Sequence, residues 1–160
     1  MPIKKHYYER RAVYHLAFKT VQDQPLLGSD DAKQVVLDTM LAYREKLGYR
    51  LLGYAIMDNH VHAVVATDAD HTIADIIRDW KGYSCRLLQA LLRRKGSVWK
   101  ARYADNAIRS SRELMDVLHY VHNNPVRARI AEDARQYHWS SAREYAGDTK
   151  AVVDTGFGAG

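Results

Sequence analysis

Met57-Asp58-Asn59-His60-Val61-His62-Ala63-Val64-Val65 reads as a turn leading into a β-strand that carries two histidines with one apolar residue between them. Strand side chains alternate between faces, so His60 and His62 share one face while Val61 points into the core. At the usual rise the two imidazoles stand about 7 Å apart along the strand, close enough to share one cation. The same spacing also suits two half-exposed strand histidines with no task. What surrounds them has to decide.

Immediately upstream, Tyr49 to Met57 (YRLLGYAIM) has the composition of another strand, and Asp58-Asn59 is too short a connection for anything but a hairpin. Before that, Ser29 is a good helix N-cap with Asp30 and Asp31 behind it. Val35, Val36, Thr39, Met40, Tyr43 and Leu47 then keep helical spacing up to Gly48 at the C′ position. Ala12 to Lys19 (AVYHLAFK) has apolar residues on both parities, which predicts a well-buried first strand. Downstream, a helix opens near Thr72 and runs through Ile73, Ile76, Ile77, Trp80, Ser84, Leu87, Leu88 and Leu91 to Arg93-Arg94-Lys95-Gly96. Val98 to Arg109 is strand-like and irregular, one or two short strands. The order strand, helix, strand, strand, helix, strand predicts an α+β fold of the ferredoxin-like split βαβ type. Its antiparallel sheet has helices on one face, and the first and third strands are its central neighbours. The histidine strand is then rigid, where a precise site belongs.

An extra C-terminal helix follows, from Ser111 as N-cap to Asn123, with Leu114, Val117, Leu118 and Val121 as its apolar stripe. Tyr120 and Asn124, four apart, lie side by side on the flank of that stripe, and Pro125 ends the helix. Residues 1–150 are expected to form one domain and 151–160 a flexible Gly-rich tail.

The 160 residues hold 24 Lys plus Arg against 19 Asp plus Glu, a net charge of +5 and a pI near 9.3. That balance suits a polyanionic partner, and an ordinary basic protein equally well. Many of the cations crowd the second half among Trp80, Tyr83, Trp99 and Tyr103, a mixture that suits single-stranded nucleic acid, although several of those rings also suit the core. Cys85 is the single cysteine, which excludes an intramolecular disulfide and a cysteine-rich zinc site. The N-terminus has no apolar h-region and no apolar run approaches 18 residues, so a soluble, cytoplasmic protein with no membrane partner is expected.

Met57-Asp58-Asn59-His60-Val61-His62, followed some sixty residues later by Tyr120-Val121-His122-Asn123-Asn124-Pro125-Val126-Arg127-Ala128, resembles the HUH single-tyrosine transposases, most of all the REP-associated tyrosine transposases. Val98-Trp99-Lys100-Ala101-Arg102-Tyr103 with Ala107-Ile108-Arg109 is similar to that group's tryptophan-arginine-aromatic segment. His138-Trp139-Ser140-Ser141-Ala142 is similar to its tryptophan-serine-serine element. The likeness spans roughly 13–145 and implies the same ferredoxin-like fold. It implies Tyr120 as nucleophile and His60, His62 and Asn124 as ligands of a divalent metal, Mg²⁺ or Mn²⁺. Asn stands at 124 where related insertion-sequence transposases commonly have Gln, so the third ligand has a shorter arm. The expected activity is nicking and rejoining of single-stranded DNA near hairpin repeats through a 5′-phosphotyrosine, without ATP. The alternative is a domesticated hairpin-DNA-binding module with little turnover. Trp99, Arg102, Arg109 and Arg127 are candidate DNA contacts, although an apolar anchor, helix-dipole partners and a solvated face explain them too. His119 and His122 are expected at the surface. Relatives work as homodimers that exchange the tyrosine helix or as monomers, and the resemblance leaves both open.

Overall fold

In the computed structural model, which describes residues 12–147 and 152–154, four strands make one sheet. They are β1 (Val13–Thr20), β2 (Arg50–Ile56), β3 (His60–Ala66) and β4 (Trp99–Ile108). Their spatial order is β2-β3-β1-β4 and every neighbouring pair is antiparallel. The expected hairpin of β2 with β3 and the central pairing of β1 with β3 are therefore present. Ala17 stands opposite His62 and Lys19 opposite His60.

Alternation along these strands sorts residues between two layers of helix. Tyr14, Leu16 and Phe18 of β1 and Val61, Ala63 and Val65 of β3 face a core closed by α1 (Asp30–Ala42) and α3 (Ile73–Leu92). Across that core Trp80 Nε1 donates to the Tyr49 hydroxyl (2.9 Å), which donates in turn to Met40 O. The opposite face presents Leu52, Ala55, Val64 and Ala66, covered by Leu114, Leu118 and Val121 of α4 (Ser111–His122). A bulge between Leu51 and Gly53 lets β2 feed both layers. Since α4 covers only part of this second face, a cavity remains beyond its end, lined by half-buried His60 and buried His62.

Several boundaries differ from expectation for local reasons. The helix after Ser29, whose Oγ accepts from Ala32 N, breaks at Tyr43 and resumes as α2 (Arg44–Leu47) before Gly48 turns left-handed at φ 65°. A Cβ on Gly48 would also strike Asp68, so only glycine fits. Helix α3 opens with a capping box between Thr72 and Asp75 but stops at Arg93, itself left-handed, three residues before Gly96. The tyrosine helix is capped by Ser110, whose Oγ accepts from Glu113 N, rather than by Ser111. Val98–Arg109 is not two short strands but the single strand β4. After α4, Pro125 sits in a further turn, α5 (Asn124–Arg127). Ser140 and Ser141 then bond to the edge of β2, through an Ala55–Ser140 bridge and from Ser141 N to Tyr54 O, ahead of α6 (Ala142–Tyr145). Of the expected tail, Val152–Asp154 returns to β2: Val153 is buried and Asp154 exchanges bonds with Leu51. The remainder of that expected tail lies outside the described residues.

Gly53 is where α4 rests on the sheet. A Cβ there would lie 2.5 Å from Leu118 Cδ2 and 3.3 Å from Ser141 Oγ. Gly53→Val is expected to cost about 1–3 kcal/mol by overpacking, read as a thermal midpoint lowered by about 2–4 °C per kcal/mol. A midpoint equal to the parent's would show that α4 is not seated on this residue.

Candidate active site

Three elements bring the site together. The β2–β3 turn delivers His60 and His62 and is held from several directions. Lys33 of α1, buried, donates from Nζ to Leu27 O (2.7 Å), Gly28 O (3.2 Å) and Asp58 Oδ1 (2.8 Å). Thr20 N and Leu27 N donate to the Asn59 and Asp58 carbonyls. A buried ammonium with three oxygen partners is satisfied and fixes the turn's height against α1. The second element is α4, which presents Tyr120. The third is the turn after it, where Asn124 begins α5.

Tyr120, Asn124, His60 and His62 line one cavity of about 450 Å³ within one chain, with Ala17, Lys19, Asp23 and Asn59. Tyr120 is 44% exposed, and its ring stands edge-on to His62 (centroids 5.8 Å) and His15 (6.0 Å). The Arg127 guanidinium lies 4.0 Å from the Tyr120 ring centre, a cation–π contact that fixes the ring's plane.

The hydrogen-bond inventory tests whether these residues suit a metal. Burial holds the His60 imidazole below its usual pKa, against a smaller opposing effect of Asn124. Burial first, then the neighbouring cationic groups, takes His62 to about 3. Both rings are neutral, each with one N–H. Asn124 Nδ2 donates to His62 Nε2 (3.3 Å), so that nitrogen bears a lone pair. His60 faces oxygens on both sides, Asn59 Oδ1 at 2.7 Å from Nδ1 and Asn124 Oδ1 at 3.2 Å from Nε2. One proton cannot serve both, and the shorter contact takes it. The His60 Nε2 lone pair is then turned on an amide oxygen that also only accepts, an arrangement that a cation between them relieves. His60 Nε2, His62 Nε2 and Asn124 Oδ1 therefore converge on one side of the cavity, each imidazole anchored through its other nitrogen, and once the Asn124 N–H bond to His62 is released the three fit a divalent ion. Among the described residues no three His, Cys, Asp or Glu side chains converge in this way; the third head is the Asn124 amide.

The expected DNA contacts divide. Arg127 is at the site. Arg102 is exposed on β4 and shares a strand face with Ala104 and Asn106, whose partners Ala17 and His15 belong to the site face. Arg109 follows Ile108, which pairs with Val13 at the end of β1 away from Lys19, about 20 Å from the histidines by strand rise. Trp99 is a correction. It is 7% exposed, packs edge-on against Phe18 and donates from Nε1 to Ser84 Oγ, so of its two readings, DNA contact or apolar anchor, the ring takes the second. His122 is not a surface residue either: its Nε2 meets Ser141 Oγ at 2.7 Å and burial takes it to about 4. Residues that the sequence did not single out are His15, Lys19, Asp23 and Asn59. Lys19 is exposed at the cavity rim and Asp23 pairs with Lys100 (2.8 Å). Nothing local marks His15 or Lys19: they reach the site only through the register that sets Ala17 opposite His62 and Lys19 opposite His60.

No curated protein sequence matches the chain. Among solved structures, a REP-associated tyrosine transposase bound to a REP hairpin superposes with a TM-score of 0.77 at 14% identity, over 96% of each chain. The crystal structure of a candidate transposase from Deinococcus radiodurans R1 superposes with a TM-score of 0.55 at 22% identity, over 77% of this chain and 97% of that one. At such identities these likenesses establish a shared fold. The family model described as transposase IS200 like matches residues 9–124, the whole sheet together with Tyr120 and every candidate metal-holding residue. The chain belongs to the IS200-like transposase family.

Proposed function

We propose that this chain cleaves and rejoins single-stranded DNA beside hairpins, with Tyr120 as nucleophile and a divalent cation held by His60, His62 and Asn124. The observation that carries this reading is that an accessible phenol, two imidazoles and an amide line one cavity of a single chain. The site needs no helix exchange between subunits to be complete.

Tyr120 Oη attacks the phosphorus, giving up its proton to the water that reaches its exposed edge. The Oη–P bond forms, the P–O3′ bond breaks, and the 3′ oxygen leaves as a hydroxyl. The 5′-phosphotyrosine conserves the energy of the broken ester, so the 3′-OH of another strand reverses the step and no ATP is needed. A bound Mg²⁺ or Mn²⁺ supplies charge neutralisation at the phosphate. The chain's own part is placement: Arg127 and the two histidine rings leave Tyr120 little room to rotate, and a held nucleophile converts a bimolecular attack into a unimolecular one. Lys19, Arg102 and Arg127 give the DNA backbone cations around the cavity.

The test uses 3′-labelled single-stranded DNA from a library of hairpins with random flanks, incubated with protein and Mn²⁺. The expected result is an SDS-stable protein–DNA adduct that EDTA abolishes. Hairpin binding with no adduct under any divalent ion would replace this reading by that of a binding module.

A further inference from the structure

Beside the cavity, on the far side of His62, lies a third imidazole. His15 is partly buried on β1, two residues before the residue paired with His62. Its Nε2 is 2.9 Å from His62 Nδ1, and the rings stack at 5.1 Å between centres and 28° between planes.

Protons settle the direction of that contact. Asn124 Nδ2 donates to His62 Nε2, so the one proton of neutral His62 is on Nδ1. That proton points at His15 Nε2, which therefore carries the lone pair, with the His15 proton on its own Nδ1. An imidazole that ligates through one nitrogen commonly needs an acceptor at the other to fix its tautomer and ring angle. Among the described residues no carboxylate or carbonyl meets His62 Nδ1, and His15 fills that place.

We propose that His15 is a positioning residue: by accepting the Nδ1 proton of His62 it keeps the Nε2 lone pair of His62 turned into the cavity. This rests on the reading of His62 as a metal ligand, and the test separates the two.

Two-bond ¹H–¹⁵N correlation on metal-free, ¹⁵N-labelled protein near pH 8 should show His62 as a single form, protonated on Nδ1 and bare on Nε2. His15→Phe keeps a ring in the stack and removes the acceptor. It is expected to turn the His62 signals into a tautomer mixture and to weaken Mn²⁺ binding, measured by calorimetry, about 10–100-fold. His15→Gln restores a carbonyl acceptor at similar reach, and should recover both the single form and the affinity to within about threefold. Wild-type His62 protonated on Nε2, or a His15→Phe protein with unchanged His62 signals or unchanged Mn²⁺ affinity, would overturn the proposal. Because the first of these needs no variant, a substitution that fails to fold leaves the proposal testable. Wild-type protein that shows the Nδ1–H form yet takes up no Mn²⁺ counts for the hydrogen bond and against the metal reading.

Discussion

Tyr120→Phe is expected to abolish the covalent protein–DNA adduct, lowering its rate by at least about 10⁴, the scale on which single nucleophile deletions act. Hairpin binding should stay within about threefold of the parent, and the thermal midpoint should hardly move. The substitution removes one oxygen and nothing else. Phenylalanine keeps the edge-on contacts with His62 and His15 and the face offered to Arg127. The ring is 44% exposed, so no buried hydroxyl loses a partner, and surface changes of this kind stay within about 0.5 kcal/mol. Four other phenols are poor substitutes. Burial raises those of Tyr49 and Tyr137, and lifts Tyr54 and Tyr145 to about 12, so they hold their protons where a nucleophile must release one. Gel separation after label transfer, with Tyr120→Phe beside the parent, reads the result directly. An adduct of undiminished yield would remove Tyr120 from the chemistry.

What the sequence revealed of this site follows from period and spacing. The alternation His60-Val61-His62 places two imidazoles on one face wherever the strand goes, and the Tyr120–Asn124 interval places phenol and amide on adjacent turns. Both are local, so both were legible. His15 was not, because its significance lies in a contact across 47 residues that exists only once β1 and β3 are in register. In the bare sequence it is one polar residue in a strand apolar on both parities. Trp99 misled for the opposite reason. Cations crowd its stretch of sequence, but its neighbours in space are Phe18 and Ser84, since it shares the strand parity of Tyr103, which pairs with Phe18 on the core side. Strand β4 looked irregular because it is an edge, paired on one side only and buried at just two of its ten positions, so it carries no clean apolar alternation. The choice between Ser110 and Ser111 as cap was likewise open, as two adjacent hydroxyls have equal claims until backbone direction decides.

His62→Ala should be the second most damaging change, lowering adduct formation by about 10³ at saturating Mn²⁺, near 4 kcal/mol of transition-state stabilisation. The reasoning begins with the available donors. Each imidazole is tied at Nδ1, His60 to Asn59 and His62 to His15, so each offers the cavity one nitrogen and no spare. Without His62, one imidazole and one amide oxygen remain, too few to hold an ion against water in an open cavity. His60→Ala is expected to match it, whereas Asn124→Ala should cost less, since water can take the place of an amide oxygen. Stability separates this loss from simple unfolding. His62→Ala leaves the Asn124 amide and His15 Nε2 without their partner at a cost of about 1–3 kcal/mol, which water entering from the cavity reduces. The protein should therefore keep its circular dichroism and its hairpin affinity while losing both Mn²⁺ uptake and the adduct. An adduct formed within tenfold of the parental rate, with Mn²⁺ uptake undiminished, would mean that the cation, if the reaction uses one, is held somewhere other than on the histidine strand.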